Sequence, residues 1–114
     1  MPTPRPAEPD DPTRVFAALG DRTRLGLVTR MAAGEPMSIT RLTEGTDLTR
    51  QAVTRHLEVL ADAGLVQGTR RGREHLWALD RARVRLAQRA LDQIAAWWDE
   101  RLGELKDALE DEAL

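Results

Sequence analysis

Hydrophobic residues recur every three or four positions along most of this chain, the spacing that is typical of one face of an α-helix. Polar capping residues and glycines divide this pattern into four short helices before residue 64. The residues predicted to begin these helices as N-caps are Thr13, Asp21, Ser38 and Thr49. Glycine commonly ends a helix, and a glycine follows each of these hydrophobic segments. The four glycines are Gly20, Gly34, Gly45 and Gly64.

Extended segments replace the helical spacing after residue 64. Residues 65–67 and 75–79 are predicted to be short extended segments, and residues 68–73 between them form a basic turn bounded by glycines. This order predicts a two-stranded hairpin. From Asp80 to about Glu112 the chain has no proline and a single glycine, Gly103, so this region predicts one long helix.

The order of these elements predicts the fold. Two helices joined by a tight turn over residues 38–63 indicate a helix-turn-helix, and the hairpin after them indicates a wing. We expect a mostly α protein with a small β-hairpin: a winged helix-turn-helix over residues 13–79 and a long C-terminal dimerisation helix over residues 80–114 of the same domain. Residues 1–12 hold five of the six prolines and are expected to form a disordered arm.

The helix after Thr49 is predicted to present one side to DNA. At about 100° per residue, Val53, Leu57 and Leu60 fall on one side and form the core face. The opposite side carries Gln51, Thr54, Arg55 and Glu58. Glutamine suits adenine, arginine suits guanine and threonine suits a thymine methyl in the major groove. The alternative is that any amphipathic helix exposes polar residues.

The formal net charge of −2 conceals an uneven distribution. Residues 65–89 hold seven arginines against two acidic residues, whereas residues 92–114 hold two basic and eight acidic residues. Arg70, Arg71 and Arg73 lie in the turn of the predicted hairpin, where they can reach phosphates or a minor groove. The alternative interpretation is a solvated surface turn.

The predicted C-terminal helix carries a hydrophobic stripe that its own domain cannot cover. A helix of about 33 residues is about 50 Å long, whereas a domain of this size has a radius of gyration of about 13 Å. Folding back as a hairpin near Gly103 is the alternative. We therefore expect a homodimer whose interface contains Phe16, Leu91, Ile94, Trp97, Trp98, Leu102, Leu105 and Leu109.

The chain contains few of the side chains that usually serve as catalytic nucleophiles or metal ligands. The chain has no cysteine, a single serine and two histidines, which leaves few nucleophile and base pairs. We expect neither an enzyme nor a cofactor, and a cytoplasmic location without membrane association. His56 is expected to pack against the core with a hydrogen bond, and His75 to lie on a strand or near a phosphate.

Four segments resemble the ArsR/SmtB family of winged helix-turn-helix regulators. They are LGDRTRL at 19–25, SITRL at 38–42, LTRQAVTRHLEVL at 48–60 and AGLV at 63–66, and the resemblance extends from residue 13 to about 80. By position, it implies DNA contacts from Thr49, Arg50, Gln51, Thr54 and Arg55, backbone proximity for Ser38 and Thr40, and a wing that carries Arg70, Arg71 and Arg73.

The resemblance also implies a biological role. It implies a homodimeric repressor that binds an imperfect inverted repeat of double-stranded DNA and is released by an effector, here an unidentified small molecule. Metal-sensing members carry cysteines on the helix that here spans residues 39–43, or histidine and acidic ligands on the last helix. This chain has neither set, so it is similar to the metal-independent branch. The alternative is a protein-interaction adaptor that keeps the scaffold without DNA binding.

Overall fold

The computed structural model describes residues 11–113 and contains five helices and three strands in that range. In chain order they are α1 Thr13–Leu19, α2 Arg22–Met31, β1 Met37–Ser38, α3 Ile39–Thr43, α4 Arg50–Asp62, β2 Val66–Arg71, β3 Glu74–Leu79 and α5 Arg81–Ala113. The mostly helical fold with a small sheet is confirmed. Most of the predicted N-terminal arm, residues 1–10, lies outside the described residues.

Three of the four predicted N-caps are confirmed by their hydrogen bonds. The Asp21 carboxylate accepts from the Arg24 N–H at 3.0 Å. The Ser38 and Thr49 hydroxyls accept from the N–H groups three residues ahead at 3.2 and 3.1 Å. The hydrogen bond from Arg24, helped by the nearby Arg24 and His56 side chains, lowers the pKa of Asp21 below its ordinary value.

The prediction that Thr13 caps α1 is wrong. Thr13 is the first residue of the helix, and Pro12 occupies the N-cap position without a side-chain hydrogen bond. The Asp11 carboxylate supplies the missing acceptor, because it receives the Thr13 N–H at 2.9 Å. Hydrogen bonding by Thr13 lowers the pKa of Asp11.

The core gathers one apolar side from nearly every element. The predicted α4 stripe is confirmed, since Val53, Leu57 and Leu60 are all 0 % exposed. The other buried members are Val15, Ala18, Leu27, Met31, Leu42, Leu65, Val66, Trp77 and Ala87. Each large aliphatic side chain that leaves water contributes about 1.5–3 kcal/mol, so the orientation of α4 about its own axis is strongly fixed.

The sheet has one strand more and a narrower turn than predicted. Its antiparallel order is β1-β3-β2, and Met37 and Ser38 of β1 pair with Trp77 and Leu76. The turn between β2 and β3 contains only Gly72 and Arg73, so Arg70 and Arg71 lie on β2 and not in the turn. Gly72 has a φ of 62°, which suits the first turn position of a type II′ hairpin.

The C-terminal helix is continuous and extends well beyond the domain. α5 runs through Gly103 for 33 residues, so the alternative of a hairpin near that glycine does not occur. Ala87 is buried, but every residue from Leu91 to Ala113 is exposed. The described chain is consequently elongated, with a longest axis of 72 Å. None of the helices between residues 11 and 113 combines the length and the hydropathy of a membrane span.

Arg30 of α2 fixes the end of α3. Its guanidinium donates three hydrogen bonds to main-chain carbonyls, those of Leu42 at 2.6 Å, Arg41 at 2.8 Å and Glu44 at 3.0 Å. These are carbonyls at and just beyond the C-terminus of α3, which a helix leaves without internal partners. The cation also meets the negative end of the helix dipole. Arg30 therefore sets how α3 lies against α2.

We expect Arg30→Ala to lower the free energy of unfolding by about 1–3 kcal/mol, because it removes charge-assisted hydrogen bonds to three carbonyls. Chemical denaturation measures this change. Arg22→Ala on the same helix is the control, since the Arg22 side chain forms no hydrogen bond or ion pair within the described part of the chain. It should change stability by less than about 0.5 kcal/mol. Equal effects of the two substitutions would contradict the assigned role of Arg30.

Candidate nucleic-acid interface

The outward side of α4 forms the floor of an open groove of about 680 Å³. The side chains that line it are Ile39, Arg50, Gln51, Thr54, Arg55 and Glu58. Four of the five α4 residues expected to face DNA lie here, and the fifth, Thr49, caps the N-terminus of the same helix. The structure therefore brings this set together at one end and one side of α4.

The polar groups in this groove are available to a ligand. Among residues 11–113, no hydrogen bond or ion pair occupies the side chains of Arg50, Gln51 or Arg55, and all three are exposed. Thr54 differs, because its hydroxyl donates to the Arg50 carbonyl at 2.8 Å. Its proton is committed to the helix, which leaves the γ-methyl and the two acceptor lone pairs of the hydroxyl oxygen for contact. A methyl group suits apolar contact with thymine.

A second groove, of about 420 Å³, separates the helix-turn-helix from the wing. Its lining comprises Ser38, Ile39, Thr40, Arg50, Arg73, Glu74 and His75. The groove thus joins Ser38 of β1 and Thr40 of α3, which are predicted near the DNA backbone, to two arginines. These are Arg50 of α4 and Arg73 at the tip of the wing. Ile39 is half-buried and lines both grooves.

The other two wing arginines point to opposite sides of the hairpin. Arg70 pairs in register with His75, and Arg71 pairs with Glu74. Directly opposed residues of an antiparallel ladder share a face, so Arg70 lies on the same side as His75 and Trp77, and Arg71 on the other. All three arginines of the wing are exposed. The wing can therefore contact an anionic surface from its tip and from both faces.

The His75 imidazole is held against the sheet. Its ring centroid lies 4.5 Å from that of Trp77, with 30° between the planes. Across the ladder, Gly68 faces Trp77, and a Cβ at residue 68 would collide with His75 Nε2 and come within 3.1 Å of Trp77 Cζ3. The strand position predicted for His75 is confirmed, and its packing depends on the absence of a side chain at Gly68.

His56 lies away from both grooves. Its Nδ1 is 3.9 Å from Asp21 Oδ2 at the start of α2, and its side chain is 25 % exposed. It is partly packed as expected, but 3.9 Å is too long for the hydrogen bond that was predicted. Within the described residues, no group of three or more histidine, aspartate or glutamate side chains is placed to hold a metal ion.

A separate surface follows the exposed part of α5. Its large apolar side chains are each more than half exposed: Leu91, Ile94, Trp97, Trp98, Leu102, Leu105 and Leu109. Phe16, assigned to the same predicted interface, lies on α1, where it is half-buried and packs against the core of its own chain. The apolar stripe of α5 therefore has no cover within the described chain.

The two neighbouring tryptophans differ in their surroundings. Their rings meet edge to face with centroids 5.3 Å apart. Arg101 lies 5.5 Å above the Trp97 ring and forms ion pairs with Glu100 and Glu104 at 3.5 and 3.4 Å. Trp98, about 100° further around the helix, aligns with Ile94 and Leu102. Neither tryptophan packs against the domain, since the side chains of both are more than half exposed.

Comparisons with known proteins agree with this architecture. A family described as a helix-turn-helix domain matches residues 19–69. An uncharacterized HTH-type transcriptional regulator of Bacillus subtilis (strain 168) is 37 % identical over 65 residues, which cover 52 % of this chain and 71 % of that protein.

Two solved structures are similar over most of the chain. An ArsR-like transcriptional regulator from Rhodococcus sp. RHA1 shares 34 % identity, with a TM-score of 0.69 and coverage of 84 % of this chain and 90 % of that one. The homodimeric winged helix-turn-helix DNA-binding domain of a possible ArsR-family regulator from Mycobacterium bovis shares 26 % identity, with a TM-score of 0.62 and coverage of 84 % and 88 %.

Proposed function

Since the chain belongs to the ArsR family of helix-turn-helix transcriptional regulators, we propose that it binds a specific double-stranded DNA sequence as a homodimer and represses transcription there. In this proposal residues 13–79 form the DNA-binding unit and residues 80–114 the dimerisation helix. The operator is an inverted repeat, because a two-fold symmetric protein reads the same sequence twice in opposite directions.

The observation that carries the proposal is the set of free polar side chains on the outward side of α4. Gln51 and Arg55 can each form two hydrogen bonds to the edge of one base, as glutamine does with adenine and arginine with guanine. Their side chains have no other partner in the described chain. With the opposite side of the helix buried, α4 can enter a major groove without losing core contacts.

The wing and α3 supply contacts that position the protein on the duplex. We assign Arg70, Arg71 and Arg73 to phosphate or minor-groove contacts, and Ser38 and Thr40 to the DNA backbone. Such contacts fix register and orientation and carry little sequence information. The acidic end of α5 would be repelled by DNA, so the charge distribution favours approach by the wing and α4.

We assign the exposed apolar stripe of α5 to the homodimer interface. The stripe spans Leu91 to Leu109, about 27 Å of helix, and a soluble protein seldom leaves so long an apolar surface in water. A second copy offers an identical stripe, and the similar Mycobacterium bovis domain is homodimeric. A two-fold pair can present two α4 helices about 34 Å apart, one turn of B-DNA.

A protein-interaction adaptor is the rival function, and selection of bound duplexes from a random DNA pool distinguishes the two. We expect recovery of an inverted repeat bound at about 10⁻⁸ M or tighter, with an affinity that falls steeply with salt. Failure to enrich any sequence, with only micromolar and sequence-independent binding, would contradict the proposal and favour the adaptor.

Two arginine substitutions should separate base reading from phosphate contact on the selected duplex. Arg55→Ala should cost about 1–3 kcal/mol and relax preference at one base pair of each half-site. Arg71→Ala should reduce the slope of log affinity against log salt by about 1 per site while leaving sequence preference intact. Each variant is the control for the other. Identical selected sequences for Arg55→Ala, or an unaltered salt slope for Arg71→Ala, would reject the respective assignment.

Trp98→Glu should convert the dimer to a monomer that no longer binds the operator specifically, because a charge would have to be buried in an apolar interface. Light scattering measures the mass, and a fluorescence titration measures the affinity. Ala96→Glu is the control, since it adds the same charge to an exposed position about 160° away around α5. A Trp98→Glu protein that remains dimeric and binds normally would refute this interface.

A further inference from the structure

We infer that the groove between the wing and the helix-turn-helix binds one DNA backbone phosphate, and that protonated His75 is one of the ligands. This inference rests on the proposed DNA-binding function and adds to it a specific site and a dependence on pH. The groove is the one of about 420 Å³ that is lined by residues of α3, α4 and the wing.

The imidazole is positioned before any ligand binds. Trp77, only 6 % exposed, provides a fixed surface under the ring. Gly68 leaves the space on which the ring lies, because a side chain there would collide with it. A side chain that is already held loses little conformational entropy when it binds. The aromatic face also favours a neighbouring cation.

The charged side chains around His75 are mostly positive, which favours the binding of an anion. Arg50 from α4 and Arg73 from the tip of the wing line the groove with it, and Arg70 lies opposite it in the strand register. Glu74 is the one carboxylate of the lining. Within residues 11–113 none of these four side chains takes part in an ion pair. Three guanidinium groups against one carboxylate leave a positive site that a phosphate would neutralise.

Two hydroxyl groups complete the donor set for a phosphate. Thr40 is exposed, and the Ser38 hydroxyl uses an acceptor lone pair for the Arg41 N–H, so its own proton can still be donated. Imidazole is the side chain that ordinarily changes charge between pH 5 and 8. A phosphate in contact with His75 would attract a proton to the ring, so phosphate binding and proton binding strengthen each other.

The test is the salt dependence of operator affinity at pH 6 and pH 8. In the wild type, the slope of log affinity against log salt should be steeper at pH 6 by about 0.9 for each protonated His75 that contacts a phosphate. His75→Gln should abolish this difference. His56→Gln should retain it, because the only other histidine faces Asp21 and lies outside both grooves. His75→Lys should show the steeper slope at both pH values, which a purely structural role would not produce.

A measurement on the wild type alone guards against variants that fail to fold. Calorimetric titration of the operator at pH 7, in buffers of different ionisation enthalpy, should show net proton uptake by each protomer. No uptake, or a difference between the two pH values that survives in folded His75→Gln, would overturn the inference and leave the DNA-binding function intact. Failure of the wild type to bind any duplex at either pH would overturn both.

Discussion

Burial of one side of α4 is the constraint on which the rest of the molecule depends. Val53, Leu57 and Leu60 are fully enclosed by α1, α2, α3 and the sheet, and each contributes about 1.5–3 kcal/mol by leaving water. Because a helix is rigid, fixing that side also fixes the direction of the opposite one. Gln51 and Arg55 point outward for this reason, and they lack partners within the described chain. The surface that reads DNA in our proposal is thus a by-product of core formation.

Burial in the core also distinguishes the two parts of α5. Its first part packs into the core through Ala87 and the partly buried Val84. The part after residue 90 carries an apolar stripe that nothing in the described chain covers. The acidic residues are concentrated along this second part, and the arginines on the wing and the start of α5. One end of the protomer therefore attracts a polyanion and the other repels it, which orients the encounter with DNA and keeps the second part of α5 away from the duplex.

Patterns among neighbouring residues predicted much of this fold. The structure differs from the predictions where contacts between residues distant in sequence determine the conformation. The caps at Asp21, Ser38 and Thr49 and the α4 stripe follow from adjacent residues, so the sequence was sufficient for them. Strand β1 escaped prediction because two residues carry no periodicity, and it exists only by pairing with β3. Likewise, Arg30 contacts carbonyls that are remote in sequence. The groove that joins Arg50, Arg73 and His75 could not be derived either, because it depends on how the hairpin lies against α3.

The central claim is that a two-fold pair presents both α4 helices to one duplex, and the absence of cysteine allows a direct measurement of it. Glu58→Cys places a single spin label on the outward side of α4 in each protomer. Pulsed dipolar spectroscopy of the free protein should give one population of distances between the two labels. After allowance for the length of the label, this distance should be about 34 Å, the helical repeat of DNA. Absence of coupling between protomers, or a separation that matches no whole number of helical turns, would contradict the account.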